Sequence, residues 1–250
     1  MEPVNHLFLS FLFSVAISAG FITTDDLGNI YAVEKNNSLT KLDANGKTLF
    51  TTQHPELGLL SFVDANSVKP LLWYPDQHTA VITDNTLATQ SQINFRNSEI
   101  LMPELICWSS DSRFWIFDEA SQSLIKADEQ AHILLKSNDM ISLTGFALQP
   151  FFLREQNNQV WLVDSIGGTF LFDRFGTLVH HFPNINKAPV SLSGSKLFSV
   201  EHDTFRFFDP VINETVSFTI QDQGEIFSFA ISNDHLILAG DSVVVFQMTK

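Results

Sequence analysis

Carboxylates at regular intervals are the residues of this chain best suited to chemistry. Glu34, Asp76, Asp118, Asp164, Glu201 and Asp241 recur at steps of roughly forty residues, each closing a short apolar run. A second series, Asp43, Asp84, Asp128, Asp173 and Asp209, follows within five of these intervals. Arrays of carboxylate oxygens suit two functions. They coordinate hard cations such as calcium, which take several oxygen ligands, and they attract basic partners. An aspartate at a strand end also has a purely local use, capping a tight turn through its own side chain.

The other reactive side chains carry weaker signals. His180 and His181 are adjacent on an expected strand, so they point to opposite faces and do not share a metal. His202-Asp203 and Asp234-His235 read as exposed loop pairs. Cys107 lies in an apolar run and reads as a small buried hydrophobe. No Gly-x-Ser-x-Gly elbow supports a nucleophile. Gly167-Gly168 lies between two strands and reads as a hairpin turn, without the strand–loop–helix context of a phosphate loop. Two aromatic pairs, Trp73-Tyr74 and Phe151-Phe152, stand near strand ends. One member of each is expected to pack inward and the other to serve as an exposed binding anchor.

The chain that must position these groups has 250 residues, 44% hydrophobic and 17% charged, with a net charge of −14. This composition supports a sizeable core and excludes a disordered chain. The acidic surplus argues against nucleic acid and anionic membranes as partners, because both require a basic footprint. A single cysteine excludes an internal disulfide and a cysteine-rich zinc site.

Residues Leu7 to Ala19 read LFLSFLFSVAISA, an uncharged run too short to cross a bilayer as a helix. It resembles the apolar part of a secretory leader, with cleavage expected after Ala19, although Glu2 stands where a leader usually carries positive charge. The competing reading is a first buried strand. The expectation is therefore a leader over residues 1–19 and a mature domain over 20–250, periplasmic or secreted, with no transmembrane segment.

The mature sequence is repetitive. From Phe21, four short strand-like runs are separated by Leu27-Gly28, Asn36-Asn37 and Asn45-Gly46, all turn chemistry. The same grammar returns near residues 60, 105, 145, 189 and 225. A thin four-stranded sheet cannot bury both its faces alone, and radial packing of several such sheets solves the problem. The expected fold is all-β: a six-bladed β-propeller of four-stranded antiparallel blades. The sixth repeat shows only three runs before the chain ends, so the last blade is expected to be three-stranded.

The first repeat, with Asp25-x-x-Gly28-Asn29-Ile30-Tyr31 and Leu39-x-Lys41-Leu42-Asp43-x-x-Gly46, resembles those of six-bladed propellers of the NHL and TolB-like type. That resemblance implies a small exported protein of the bacterial cell envelope. The expected role is that of a non-enzymatic, monomeric scaffold recognising a protein or glycan partner through one acidic, aromatic-bearing face. Glu34, Asp76, Asp118, Asp164, Glu201, Asp241, Trp73 and Tyr74 would supply that face, and no cofactor is expected. The alternative is a calcium-type, lactonase-like hydrolase with its metal at the channel mouth. Asp64, Asn66, Glu104, Asn233 and Asp234 are its candidate ligands. Shared fold alone does not transfer function.

Overall fold

The computed structural model describes residues 8–183, 189–201, 204–211, 214–220, 225–232 and 234–249. It contains six four-stranded antiparallel sheets, the blades of a six-bladed β-propeller. β1 (Phe8–Val15) precedes blade one, which comprises β2 (Ala19–Thr24), β3 (Ile30–Glu34), β4 (Leu39–Leu42) and β5 (Thr48–Thr52). Blade two comprises β6 (Phe62–Asp64), β7 (Leu71–Tyr74), β8 (Thr79–Thr83) and β9 (Thr89–Asn94). Blade three comprises β10 (Pro103–Trp108), β11 (Phe114–Asp118), β12 (Ser123–Ala127) and β13 (Ile133–Lys136). A single helical turn, α1 (Met140–Thr144), leads into blade four: β14 (Pro150–Gln156), β15 (Gln159–Asp164), β16 (Gly168–Asp173) and β17 (Leu178–Phe182). Blade five comprises β18 (Val190–Ser193), β19 (Lys196–Glu201), β20 (Thr204–Asp209) and β21 (Glu214–Thr219). Blade six contains β22 (Ser228–Ser232), β23 (His235–Ala239) and β24 (Val243–Thr249).

The expectation of a three-stranded last blade is corrected. β1 pairs antiparallel with β24, from Phe8 opposite Thr249 to Val15 opposite Val243, so the sixth sheet runs β1-β24-β23-β22. Apolarity alone does not separate a leader from a strand buried on its inner face, and the expected leader is the run that supplies β1. A register shift between Phe11 and Phe13 re-phases the side-chain alternation. Leu9 thereby packs with the core of blades five and six, and Phe13 and Val15 with the core of blades one and six. Gly46 accommodates this strand: a Cβ there would meet the Phe13 ring at 2.6 Å and Val15 at 2.9 Å.

The chain forms two compact units, residues 54–188 and residues 1–53 with 189–250. The middle strands explain the aromatic composition. In β11, Phe114 and Ile116 enter a core with Leu71, Trp73 and Ile82 of blade two. The alternate residues Trp115 and Phe117 enter a second core with Val160, Phe170 and Phe172 of blade four. A period-two strand between two neighbours therefore buries every residue, and each large side chain contributes roughly 1.5–3 kcal/mol.

Candidate functional site

The carboxylates that close the second strands divide into ties and surface groups. Asp118 and Asp164 are 1% and 0% exposed. Asp118 Oδ1 accepts the Met102 amide at 2.7 Å, while Oδ2 accepts the Ser121 amide and hydroxyl at 3.1 and 2.6 Å. Asp164 accepts the amides of Gln149 and Ile166. The exposed Asp76 accepts the Leu59 amide at 3.3 Å. Leu59, Met102 and Gln149 all lie on the connections entering blades two, three and four. In these blades the marker carboxylate fastens the incoming chain to the end of the second strand. Glu34 accepts the Thr40 hydroxyl at 2.6 Å, Glu201 pairs with Arg206 at 2.8 Å, and the exposed Asp241 lies 3.4 Å from Lys35.

The third-strand aspartates build one turn repeatedly. In Asp43, Asp84, Asp128 and Asp173 one carboxylate oxygen accepts the amides two and four residues on, at 2.7–3.1 Å. Asp25 does the same in the first hairpin of blade one. The residue three places after each aspartate has positive φ: Gly28, Gly46, Leu87, Ala131 and Gly176. This is the three-residue hairpin with a left-handed bulge. These hydrogen bonds hold Asp84 and Asp128 below the usual aspartate pKa.

At the same end of blades two to four, a buried polar lattice joins neighbouring blades. Asp64 Oδ2 accepts the Trp108 amide at 2.9 Å, and Oδ1 accepts the Asn66 amide at 3.0 Å. Arg154 hydrogen-bonds the Asn66 side chain. Glu155 Oε2 accepts from the Ser109 hydroxyl at 2.6 Å and the Trp115 indole at 2.5 Å, and Oε1 accepts the Ser110 amide at 3.1 Å. Sequence reasoning missed Arg154 and Glu155, because nothing in their spacing marks a buried clasp. Among the proposed metal ligands, Asp64 and Asn66 belong to this lattice, while Glu104 stands at the start of β10, away from Trp108 at its other end. Asp234 pairs with His235 at 3.6 Å, and Asn233 lies outside the described residues. Among the described residues no group of three or more His, Cys, Asp or Glu is arranged to hold a metal ion.

Trp73 and Tyr74 require correction as surface anchors: they are 0% and 1% exposed. β7 is buried throughout, so adjacent residues on opposite faces both reach a core. The Trp73 indole donates to the Glu104 carbonyl at 3.0 Å. Burial, with Glu56 adding repulsion, raises the Tyr74 pKa. Phe152 is buried and Phe151 half-buried. Cys107 is buried, and burial, followed by repulsion from Asp64, raises its thiol pKa well above the ordinary range. His181 stacks on Phe170 at 4.3 Å and its Nε2 meets the Gly167 carbonyl at 2.6 Å, and both His180 and His181 are exposed. His202-Asp203 lies outside the described residues.

No family model matches the chain, and no curated protein matches its sequence. Solved structures do match. A streptogramin B lyase superimposes with a TM-score of 0.69 at 12% identity over 100% of both chains. Virginiamycin B lyase from Staphylococcus aureus, in a catalytically inactive form with quinupristin, gives 0.67 at 13% identity over 98% of this chain and 100% of that one. BamB from Moraxella catarrhalis gives 0.54 at 11% identity over 96% and 98%. At these identities the likeness shows the propeller fold.

Proposed function

We propose that this chain is a non-enzymatic, monomeric binding scaffold of the cell envelope that recognises a protein or glycan partner through one acidic end of its blades. One observation carries the reading. The carboxylates best placed for chemistry, Asp64, Asp118, Glu155 and Asp164, are buried and accept hydrogen bonds from neighbouring strands and connections. Carboxylates engaged in this way support a structural use. The fold likeness includes BamB as well as lyases, so it does not favour an enzyme. Cell-envelope location rests on the leader-like run Leu7–Ala19. Cleavage after Ala19 would leave blade six with β22–β24 alone. No helix among the described residues is long and apolar enough to cross a membrane.

Thermal unfolding in EDTA and then in excess calcium tests the non-enzymatic reading. A ligand specific to the folded state stabilises by RT ln(1 + [L]/Kd), which moves the midpoint by degrees. The expected result is an unchanged midpoint. A calcium-dependent rise would overturn the reading in favour of the metal-dependent hydrolase. N-terminal sequencing of the native protein tests location, with Gly20 expected and an intact Met1 the contrary result.

A further inference from the structure

The connections entering blades two, three and four, together with the turns that follow their second strands, share one end of these blades. This end carries an unusual set of exposed apolar side chains. Leu59, Leu101, Met102, Ile141, Phe146 and Ile166 are all exposed, Leu101 to 66% and Ile166 to 71%. Each connection is tied to the turn beside it. The Leu59 amide meets Asp76, and Arg96 donates to the Asp76 carbonyl at 3.0 Å. The Met102 amide meets Asp118, and the Glu119 amide donates back to the Met102 carbonyl at 2.9 Å. The Met140 amide donates to the Gln122 carbonyl at 2.8 Å, and the Phe146 ring lies over Gly167, where a Cβ would come within 3.0 Å of it. Single exposed apolar residues are ordinary, but a run of them along one rigid edge marks an interaction surface.

Charge selects the partner. Glu56, Asp76, Glu99, Glu104 and Glu119 are exposed along the same end. Among the described residues no Lys or Arg side chain forms an ion pair with any of these five, and Glu56 has the His54 ring 3.6 Å away. Arg96, the cation beside them, is engaged by the Asp76 carbonyl and the Gln77 side chain. Burial, and then repulsion from Glu119, raises the Glu104 pKa against the opposing pull of His78. We propose that this end of blades two to four docks a protein segment that is apolar at its centre and flanked by Lys or Arg. Apolar contacts to Leu101 and Met102 would supply affinity, and the carboxylates would steer the approach and exclude acidic segments. The proposal deepens the binding reading and rests on it.

The test uses the full chain and two fluorescein-labelled eighteen-residue peptides. One has a Leu-rich centre with Lys at both ends, and the other has Glu for every Lys. Anisotropy is expected to show binding of the Lys peptide alone. Leu101→Ser with Met102→Ser should weaken it about ten-fold or more, a loss of roughly 1.4 kcal/mol. Glu104→Gln with Glu119→Gln, both exposed and independent of the core, should weaken it and flatten its salt dependence. Val68→Ser, an exposed apolar change at the other end of blade two, should leave it unchanged. Equal binding of both peptides, or binding unaffected by the Leu101 and Met102 changes, overturns the proposed surface. That result leaves the scaffold reading standing, which falls separately if calcium raises the unfolding midpoint.

Discussion

Asp118 Oδ1 accepts the amide of Met102 at 2.7 Å, and the residue it fastens is one that the connection into blade three presents to solvent. A buried carboxylate and an exposed thioether are thus two ends of one device. Asp118→Ala leaves the amides of Met102 and Ser121 without their acceptor, and hydrogen bonds to a charged group are worth about 1.5–3 kcal/mol each. The expected outcome is a loss of about 3 kcal/mol in urea unfolding, with Asp118→Asn losing less. Wild-type stability in the alanine variant would show that the carboxylate ties nothing.

Glu155 offers a sharper case, since its carboxylate serves two serines and an indole of blade three. Glu155→Gln keeps the shape but turns one acceptor oxygen into a donor facing donors. Leaving a buried donor without its acceptor costs about 1–3 kcal/mol. The change should lower the urea midpoint and red-shift tryptophan emission as Trp115 loses its partner. Preservation of both would place the clasp outside the stabilising network.

The repeated hairpin gives a pair of opposite expectations. Ala131 holds φ 63°, where a side chain costs about 1–2 kcal/mol in the left-handed region. Ala131→Gly is therefore expected to be neutral or stabilising by up to about 1 kcal/mol. Gly46→Ala meets the same backbone strain and also collides with Phe13 and Val15, so it should destabilise by about 2 kcal/mol or more. The thermal midpoints should move in opposite directions. A shared direction would refute the assigned turn geometry.

Acid should act through these hairpins. Asp84 and Asp128 have folded pKa values below their unfolded ones because backbone amides and neighbouring side chains stabilise the ionised form. Their contribution is fully present above the unfolded value of about 3.9 and is lost as pH falls through the lower folded value. Glu104 acts in the contrary sense: its raised pKa disfavours the charged form, so Glu104→Gln should gain stability at neutral pH and lose that advantage in acid. Urea midpoints from pH 7 to pH 2.5 check both signs. A wild-type curve rising toward pH 3 would contradict the hairpin assignment.

Much of this architecture was legible in residue order, for identifiable reasons. Turn chemistry at Asn45-Gly46 and acids after apolar runs mark strand ends, because the local physics of a hairpin is carried by a few neighbouring residues. What was not legible depended on tertiary surroundings. Trp73 and Tyr74 read as one buried and one exposed residue because an isolated strand has one wet face, whereas β7 lies in a blade with neighbours on both faces. The fourth strand of blade six was not legible because thirteen uncharged residues suit a leader and a strand alike, and its partner β24 lies more than two hundred residues away. The exposed Leu101 and Met102 carry no periodic signal, lying just outside a strand.

The pairing of β1 also sets the consequence of cleavage. A chain beginning at Gly20 loses Phe13 and Val15 from the core of blades one and six and leaves β24 with a bare, valine-rich edge. The expected outcome is a loss of about 3 kcal/mol or more. Equal stability of the two chains would mean that β1 adds nothing to the fold.

Site-specific photo-crosslinking in native cells tests partner recognition most directly. A photoreactive residue at position 101, compared with one at position 68, should yield a discrete protein adduct at 101 alone, and mass spectrometry should identify in it an apolar segment with basic flanks. Adducts at both positions alike, or none at 101, would contradict a partner-binding end on blades two to four.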